Sequence, residues 1–474
     1  EESAREKYIR HGHPSTLHIW WARRPLAASR ATTFAALIDD PGPYKPAPKG
    51  SGFQTKREYL VDLIKKIAPW DSVRDGNSKE IVEAYKIIQE QYSGPPSFLD
   101  PFAGGGSIPL EAFRLGCKTL SVDYNPVAVL IEKATLKWPQ KYGISVELPE
   151  KYIIQDKNKT PQRELISKSG GEINLLSFLV DKWANEIFEA TKNEITKFYP
   201  IETSENLVGK DKIEHRLGWV PTGYIWSRTI PCQNPNCGAI IPLIKQFWLA
   251  KKTNKKIAYK PIINKEDRTI DFEITDSEQK LKGKNFDPGE GTVSRANVKC
   301  PVCSQVIKAN IVRELARMGM MGERLLIVVL HHPNEKDKKY RIATDEDRKD
   351  YENASNYLKE KVENWPFFDD PIPSEKIPYN SRYLTPSVYG FKEWGELFNQ
   401  RQKLEIISLI ENLKTNYSRI VNNCKEIIEE THNKELFSPK ELADVIVGYL
   451  SLIISRHTSY NSNVCWWEPL GERS

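Results

Sequence analysis

Residues Asp100-Pro101-Phe102-Ala103-Gly104-Gly105-Gly106 constrain this chain more than any other segment. The apolar pair Phe98-Leu99 precedes them, and a helix-like stretch from Ile108 to Leu115 follows, stopped by Gly116. A second run, Thr119-Leu120-Ser121-Val122, then ends in Asp123. Strand, glycine loop, helix, strand and acid, in that order, outline a nucleotide-type cofactor site at the carboxyl end of a parallel sheet. The glycines let the backbone approach a ligand closely, and Asp123 stands where an acid would grip two ribose hydroxyls. The ordinary dinucleotide fingerprint is excluded, because Gly-x-Gly-x-x-Gly would need a glycine at Pro109.

Length and charge bound the alternatives. At 474 residues the chain has room for two to four domains. A formal charge of +6 permits a nucleic-acid partner without requiring one. No secretory signal and no run of eighteen apolar residues is present, so the sequence reads as a cytoplasmic protein with no membrane partner. It opens on Glu1 rather than Met, and an upstream start is expected.

Helical periodicity organises much of the chain. Leu26, Ala27, Ala31, Phe34 and Leu37 predict a helix over Leu26–Ile38, and Ile81, Ala84, Ile87 and Ile88 another between Asn77 and Gln91. Pro126 opens a helix to about Lys137. The charged, turn-rich residues 139–172 read as a linker, and Asn174–Tyr199 as one long helix. Toward the C-terminus, Leu404, Ile407, Ile410 and Leu413 mark a helix that begins at Arg401-Gln402. Tyr417–Glu430 reads as an amphipathic surface helix, and Pro439–Ile454 as a further helix. Arg401 and Gln402 are equally suited to capping their helix and to meeting DNA or the cofactor.

Seven cysteines include two close pairs, Cys232-x4-Cys237 and Cys300-Pro-Val-Cys303. Each pair can form a knuckle that places two thiolates on one tetrahedral ion at about 2.3 Å. The intervening residues 238–299 carry their own hairpin signal, Lys256–Ile263 against Thr269–Ile274. A second hairpin is expected from Leu325–Leu330 and Tyr340–Ala343. Cys117, Cys424 and Cys465 are isolated. His11, His13 and His18 lack the spacing of a regular metal site.

Asp-Pro-Phe-x-Gly-x-Gly resembles the first motif of S-adenosylmethionine-dependent methyltransferases that act on exocyclic amino groups of DNA bases. His13-Pro14 with a basic residue before Pro25-Leu26 resembles the segment that precedes that motif. Trp20-Trp21-Ala22-Arg23-Arg24-Pro25-Leu26 together with Asp100–Ala112 resembles a prokaryotic group of adenine-specific DNA methylases containing a zinc ribbon. Tyr389-Gly390, Trp394 and Leu397–Gln402 resemble a later motif of that group. The resemblance implies an α/β fold: a class I (Rossmann-like) methyltransferase sheet, an inserted zinc-ribbon β domain and a helical C-terminal region. It implies that Asp100, Phe102, Ala103, Gly104 and Gly106 surround the methionine end of S-adenosylmethionine. His13, Thr16, Arg24 and Pro25 then close over that end, and Asp123 holds the ribose with Asn125 beside it. Cys232, Cys237, Cys300 and Cys303 become ligands of one structural Zn2+.

The expected segments are 1–145 (cofactor-binding half), 146–220 (linker and long helix), 221–345 (zinc-ribbon insertion) and 346–474 (mainly helical). The family's second motif, Asp/Asn/Ser-Pro-Pro-Tyr/Phe, is absent: Pro95-Pro96 lies upstream of the glycine loop, and Asp370-Pro371-Ile372-Pro373 has only one of the two prolines in place. The expectation is therefore part of a DNA amino-methyltransferase, adenine N6 ahead of cytosine N4, completed by a second subunit or a further segment. The catalytic residues are unassigned. An RNA base methylase and a non-catalytic DNA-recognition subunit are the alternatives, and the Trp466-Trp467 end is a candidate subunit contact.

Overall fold

The computed structural model describes residues 1–9, 12–148, 152, 172–199, 218–276, 286–332, 334–379, 385–431 and 437–473. The fold is mixed α/β and divides into two compact units. One comprises Glu1–Phe188 with Ile410–His457, the other Glu189–Leu409 with Thr458–Ser474. Among the described residues, no helix is long and apolar enough to cross a membrane.

The first unit is built on a three-helix core. Helices Leu26–Leu37, Lys56–Ile67 and Lys79–Tyr92 bury Phe34, Leu60, Leu63, Ile67, Ile81, Ala84 and Ile88 together. Thr55 and Glu58 form a capping box that starts the second of these. Beside this core, Ser97–Asp100 and Lys118–Ser121 form a parallel pair, with Leu99 opposite Leu120. Parallel strands need a crossover, and the short helix Ser107–Arg114 supplies it. Gly116 ends that helix at φ +88°, where a Cβ would lie 2.4 Å from the Tyr85 ring. Pro126–Glu132 is helical as expected, but it continues into a single π turn at Lys133–Lys137. The expected linker begins with a helical turn, Trp138–Tyr142, and its ends pair as Ser145–Glu147 against Glu172–Asn174. Most of its middle lies outside the described residues. The helix Tyr417–Glu430 is not merely superficial: Ile420, Cys424 and Ile427 are fully buried.

The second unit is organised by sheets. A four-stranded antiparallel sheet runs in the order Lys339–Ile342, Gly322–His331, Val220–Pro231, Ile240–Pro242. A second sheet joins Trp248–Lys252, Lys255–Asn264 and Thr269–Thr275, and its last two strands are the hairpin expected there. A third, of Val293–Ser294, Asn297–Lys299 and Val306–Ile307, carries the second cysteine knuckle. Trp467 is half-buried against this unit, its indole N–H donating to the Leu249 carbonyl at 2.7 Å, whereas Trp466 is exposed.

Candidate functional site

The glycine loop leaves the carboxyl end of Ser97–Asp100 and is held by the acid that ends the next strand. Asp123 accepts from the Gly104 N–H through Oδ2 and from the Asn125 N–H through Oδ1, both at 2.8 Å. The Ala103 N–H donates to the Val122 carbonyl, and the Phe102 N–H to Asp100 Oδ1. A carboxylate has about four lone-pair positions, so Asp123 keeps acceptor capacity for a ligand. Asn125 caps the helix after it, its Oδ1 accepting from the Val127 N–H at 2.9 Å. Phe102 and the adjoining Tyr124 are exposed.

The N-terminal block lies across this loop. Gly104 adopts φ +54°, and a Cβ there would stand 2.6 Å from Trp20 Nε1. A Cβ on Gly105 would meet the Arg23 guanidinium at 3.0 Å, and Arg23 Nη1 donates to the Gly105 carbonyl at 3.1 Å. The basic residue that touches the loop is thus Arg23, while Arg24 is exposed and Pro25 precedes the helix Leu26–Leu37. Thr16 donates to the His13 carbonyl at 2.6 Å, a local turn contact. His13 stacks on Trp70 at 4.6 Å, and its Nε2 is buried without a partner among the described residues. Burial, helped by Arg23, Arg114 and Arg30, holds its imidazole down at about 4, so His13 is neutral at physiological pH. His11 lies outside the described residues.

Gly104→Ala is expected to cost about 1–3 kcal/mol, because a Cβ must occupy left-handed backbone and displace Trp20. A lowered urea midpoint with altered tryptophan emission checks this.

Two further residues at the loop escaped sequence reading. Ser107 and Glu132 are buried, and Ser107 Oγ and Glu132 Oε1 have no partner among the described residues. The first hid as a helix-start serine and the second as an ordinary helical glutamate.

In the other unit the two cysteine knuckles meet. The Sγ atoms of Cys232, Cys237, Cys300 and Cys303 all lie within 4.8 Å of one another. Cys232 and Cys303 are 3.6 Å apart, and Cys237 and Cys300 3.9 Å. Four thiolates around a tetrahedral ion at 2.3 Å would stand about 3.8 Å apart, so the arrangement fits a closed metal site. Backbone turns shape it: the Cys237 N–H donates to the Asn234 carbonyl, and the Ser304 N–H to the Cys300 carbonyl. Ile230, Ile241, Val298 and Ile307 pack around the thiols. Burial pushes Cys232 up to about 12, and a backbone hydrogen bond from Gln305 holds Cys303 near 7.

In the Arg401-Gln402 segment, Gln402 caps its helix. Asn399 and Gln402 exchange reciprocal hydrogen bonds at 2.9 Å at the helix start. Arg401 is buried, with its guanidinium over the rings of Tyr199 and Tyr224. Tyr351, which Arg401 also approaches, lines a cavity of about 350 Å³ with Phe398, Asn399, Arg228 and Lys403.

A family model described as a protein of unknown function (DUF1156) matches residues 1–62. That segment contains Trp20 and Arg23, the two side chains laid on the glycine loop. No curated protein and no solved structure matches the chain.

Proposed function

We propose that this chain is the cofactor-binding, zinc-containing part of an S-adenosylmethionine-dependent DNA amino-methyltransferase, acting at adenine N6 in preference to cytosine N4. The observation that carries the reading is the clamp of the Gly104 N–H by Asp123, with Trp20 and Arg23 laid on the same loop. The Cβ-free sides of Gly104, Gly105 and Gly106 pack on Trp20, Arg23 and Glu132, which fixes the shape in which the loop can meet a ligand. When bound, S-adenosylmethionine supplies an electrophilic methyl group on its sulfonium. Asp123 holds the ribose, the loop from Asp100 to Gly106 orients the methionine part, and Arg23 fixes the loop through Gly105. Cys232, Cys237, Cys300 and Cys303 hold one structural zinc with no open position.

The sheet supports completion by a further polypeptide segment. Leu99 and Leu120 face each other in register and are 60% and 61% exposed. Parallel sheets are ordinarily covered on both faces, so this face suits additional strands and helices. The group that holds the target amine, Asp-Pro-Pro-Tyr or a close variant, belongs to that segment, and DNA is the substrate.

Calorimetry tests the cofactor assignment. The chain should bind S-adenosylmethionine, and Asp123→Ala should weaken binding ten- to a hundredfold, in keeping with about 1.5–3 kcal/mol for a charge-assisted acid–diol contact. No binding by the unmodified chain, or unchanged affinity in the variant, overturns it. Duplex DNA should gain no labelled methyl from this chain alone and should gain it once the Asp-Pro-Pro-Tyr segment is supplied.

A further inference from the structure

Glu132 closes the helix Pro126–Glu132 at the point where it widens into the π turn Lys133–Lys137. Single π turns inside helices gather at functional sites. This one sets two side chains against the glycine loop beside Glu132: a Cβ at Gly106 would lie 3.3 Å from Glu132 Cγ, 3.5 Å from Leu136 Cδ1 and 3.7 Å from Thr135 Oγ1. Glu132 is 5% exposed. The Ser121 hydroxyl donates to Oε2, which leaves Oε1 buried with no partner among the described residues. Ser107, directly after Gly106 and 3% exposed, has a partnerless buried hydroxyl as well.

Buried polar atoms are nearly always satisfied, and a lone one carries the full cost of its desolvation. Two of them flank the same glycine, which points to a ligand that supplies their missing partner. The sign of its charge follows from the neighbours. Burial raises the Glu132 carboxyl above its ordinary range, and the negative charges of Asp123 and Asp100 act in the same direction. Three carboxylates around one loop repel phosphate and attract a cation.

Resting on the cofactor reading above, we infer that Glu132, on the far side of Gly106 from solvent, and Ser107, next to Gly106 in the chain, form a charge-reading subsite for the sulfonium of S-adenosylmethionine. The subsite favours the charged methyl donor over the neutral thioether left after transfer, and so helps to expel product. Glu132 is a positioning and specificity residue for the cofactor and takes no part in proton transfer.

Glu132→Gln removes the charge at nearly constant shape and keeps one carbonyl oxygen as an acceptor for Ser121. Calorimetry with S-adenosylmethionine, S-adenosylhomocysteine and sinefungin, whose amine carries a positive charge near the sulfonium position, separates the outcomes. The unmodified chain should bind the two charged ligands about tenfold or more tightly than the thioether. Glu132→Gln should erase that preference while leaving thioether affinity within about twofold. An equal loss for all three ligands would mean a structural role, and an unchanged preference would mean that the charge is read elsewhere; either result overturns the inference and leaves the cofactor site standing. Failure of the unmodified chain to bind any of the three overturns both.

Discussion

Cys300→Ser should abolish binding of the zinc proposed at the four-cysteine cluster. Purified without chelator, the unmodified protein should carry one zinc per chain by elemental analysis, and the variant close to none. Cys300 is fully buried and 3.9 Å from Cys237 at the centre of the thiol cluster, so a serine there replaces a soft thiolate ligand with a hydroxyl. The structural cost is large because metal binding at such sites is coupled to folding, on the order of 10 kcal/mol in small zinc domains. The three strands that frame the second knuckle total only a few residues, and their apolar support is Val298, Ile307 and neighbours packed directly on the thiols. Backbone amides of Val293–Ile307 should therefore lose hydrogen-exchange protection in the variant, and a strong chelator should reproduce the effect. A zinc-free unmodified chain with the same protection would refute the metal centre.

What sequence reading reached at these sites was what is written locally. The glycine loop, the acid after the second strand and the cysteine knuckles are short motifs whose spacing encodes their geometry, and the structure brings each set together. That Arg23 rather than Arg24 touches the loop was not legible, because two adjacent arginines differ only in the direction the chain faces as it enters the helix Leu26–Leu37. Glu132 was missed because a glutamate at the end of an apolar helix reads as solvated, and its burial comes from Gly106 and Ser121, distant in sequence. The strand Val220–Pro231 was also not anticipated. Its sequence holds two prolines, a glycine and no clean alternation, and it becomes a strand by pairing with Gly322–His331 on one side and Ile240–Pro242 on the other. Tyr417–Glu430 had the right period, but periodicity reports an apolar face and not the surface it meets.

Glu111→Ala should destabilise the first unit by about 3–5 kcal/mol, the cost of leaving a buried charge without its partner. Arg30 and Glu111 are both fully buried, with Arg30 Nε donating to Glu111 Oε2 at 2.5 Å. Arg114 donates to the other oxygen at 2.8 Å. Arg30 Nη1 also donates to the carbonyls of Ile67, Ala68 and Pro69, at and just past the end of the helix Lys56–Ile67, where helix carbonyls lack intrahelical partners. One guanidinium thus ties the helix Leu26–Leu37 to Lys56–Ile67 and to the crossover helix that starts from Gly106. Glu111→Ala removes the compensation for two cations at once, and the urea midpoint should fall accordingly. Arg30→Met combined with Glu111→Leu should lose much less, since replacing a buried pair by apolar side chains of similar volume avoids the unpaired charge. The double variant still takes the Arg30 donor from the carbonyls of Ile67 and Ala68, which keeps it somewhat below the unmodified protein. If Glu111→Ala lowers the midpoint no more than the double variant does, the ion pair is not what holds the crossover helix to the core. If it lowers it much further, the crossover helix that follows the glycine loop is held to the core by this buried charge pair.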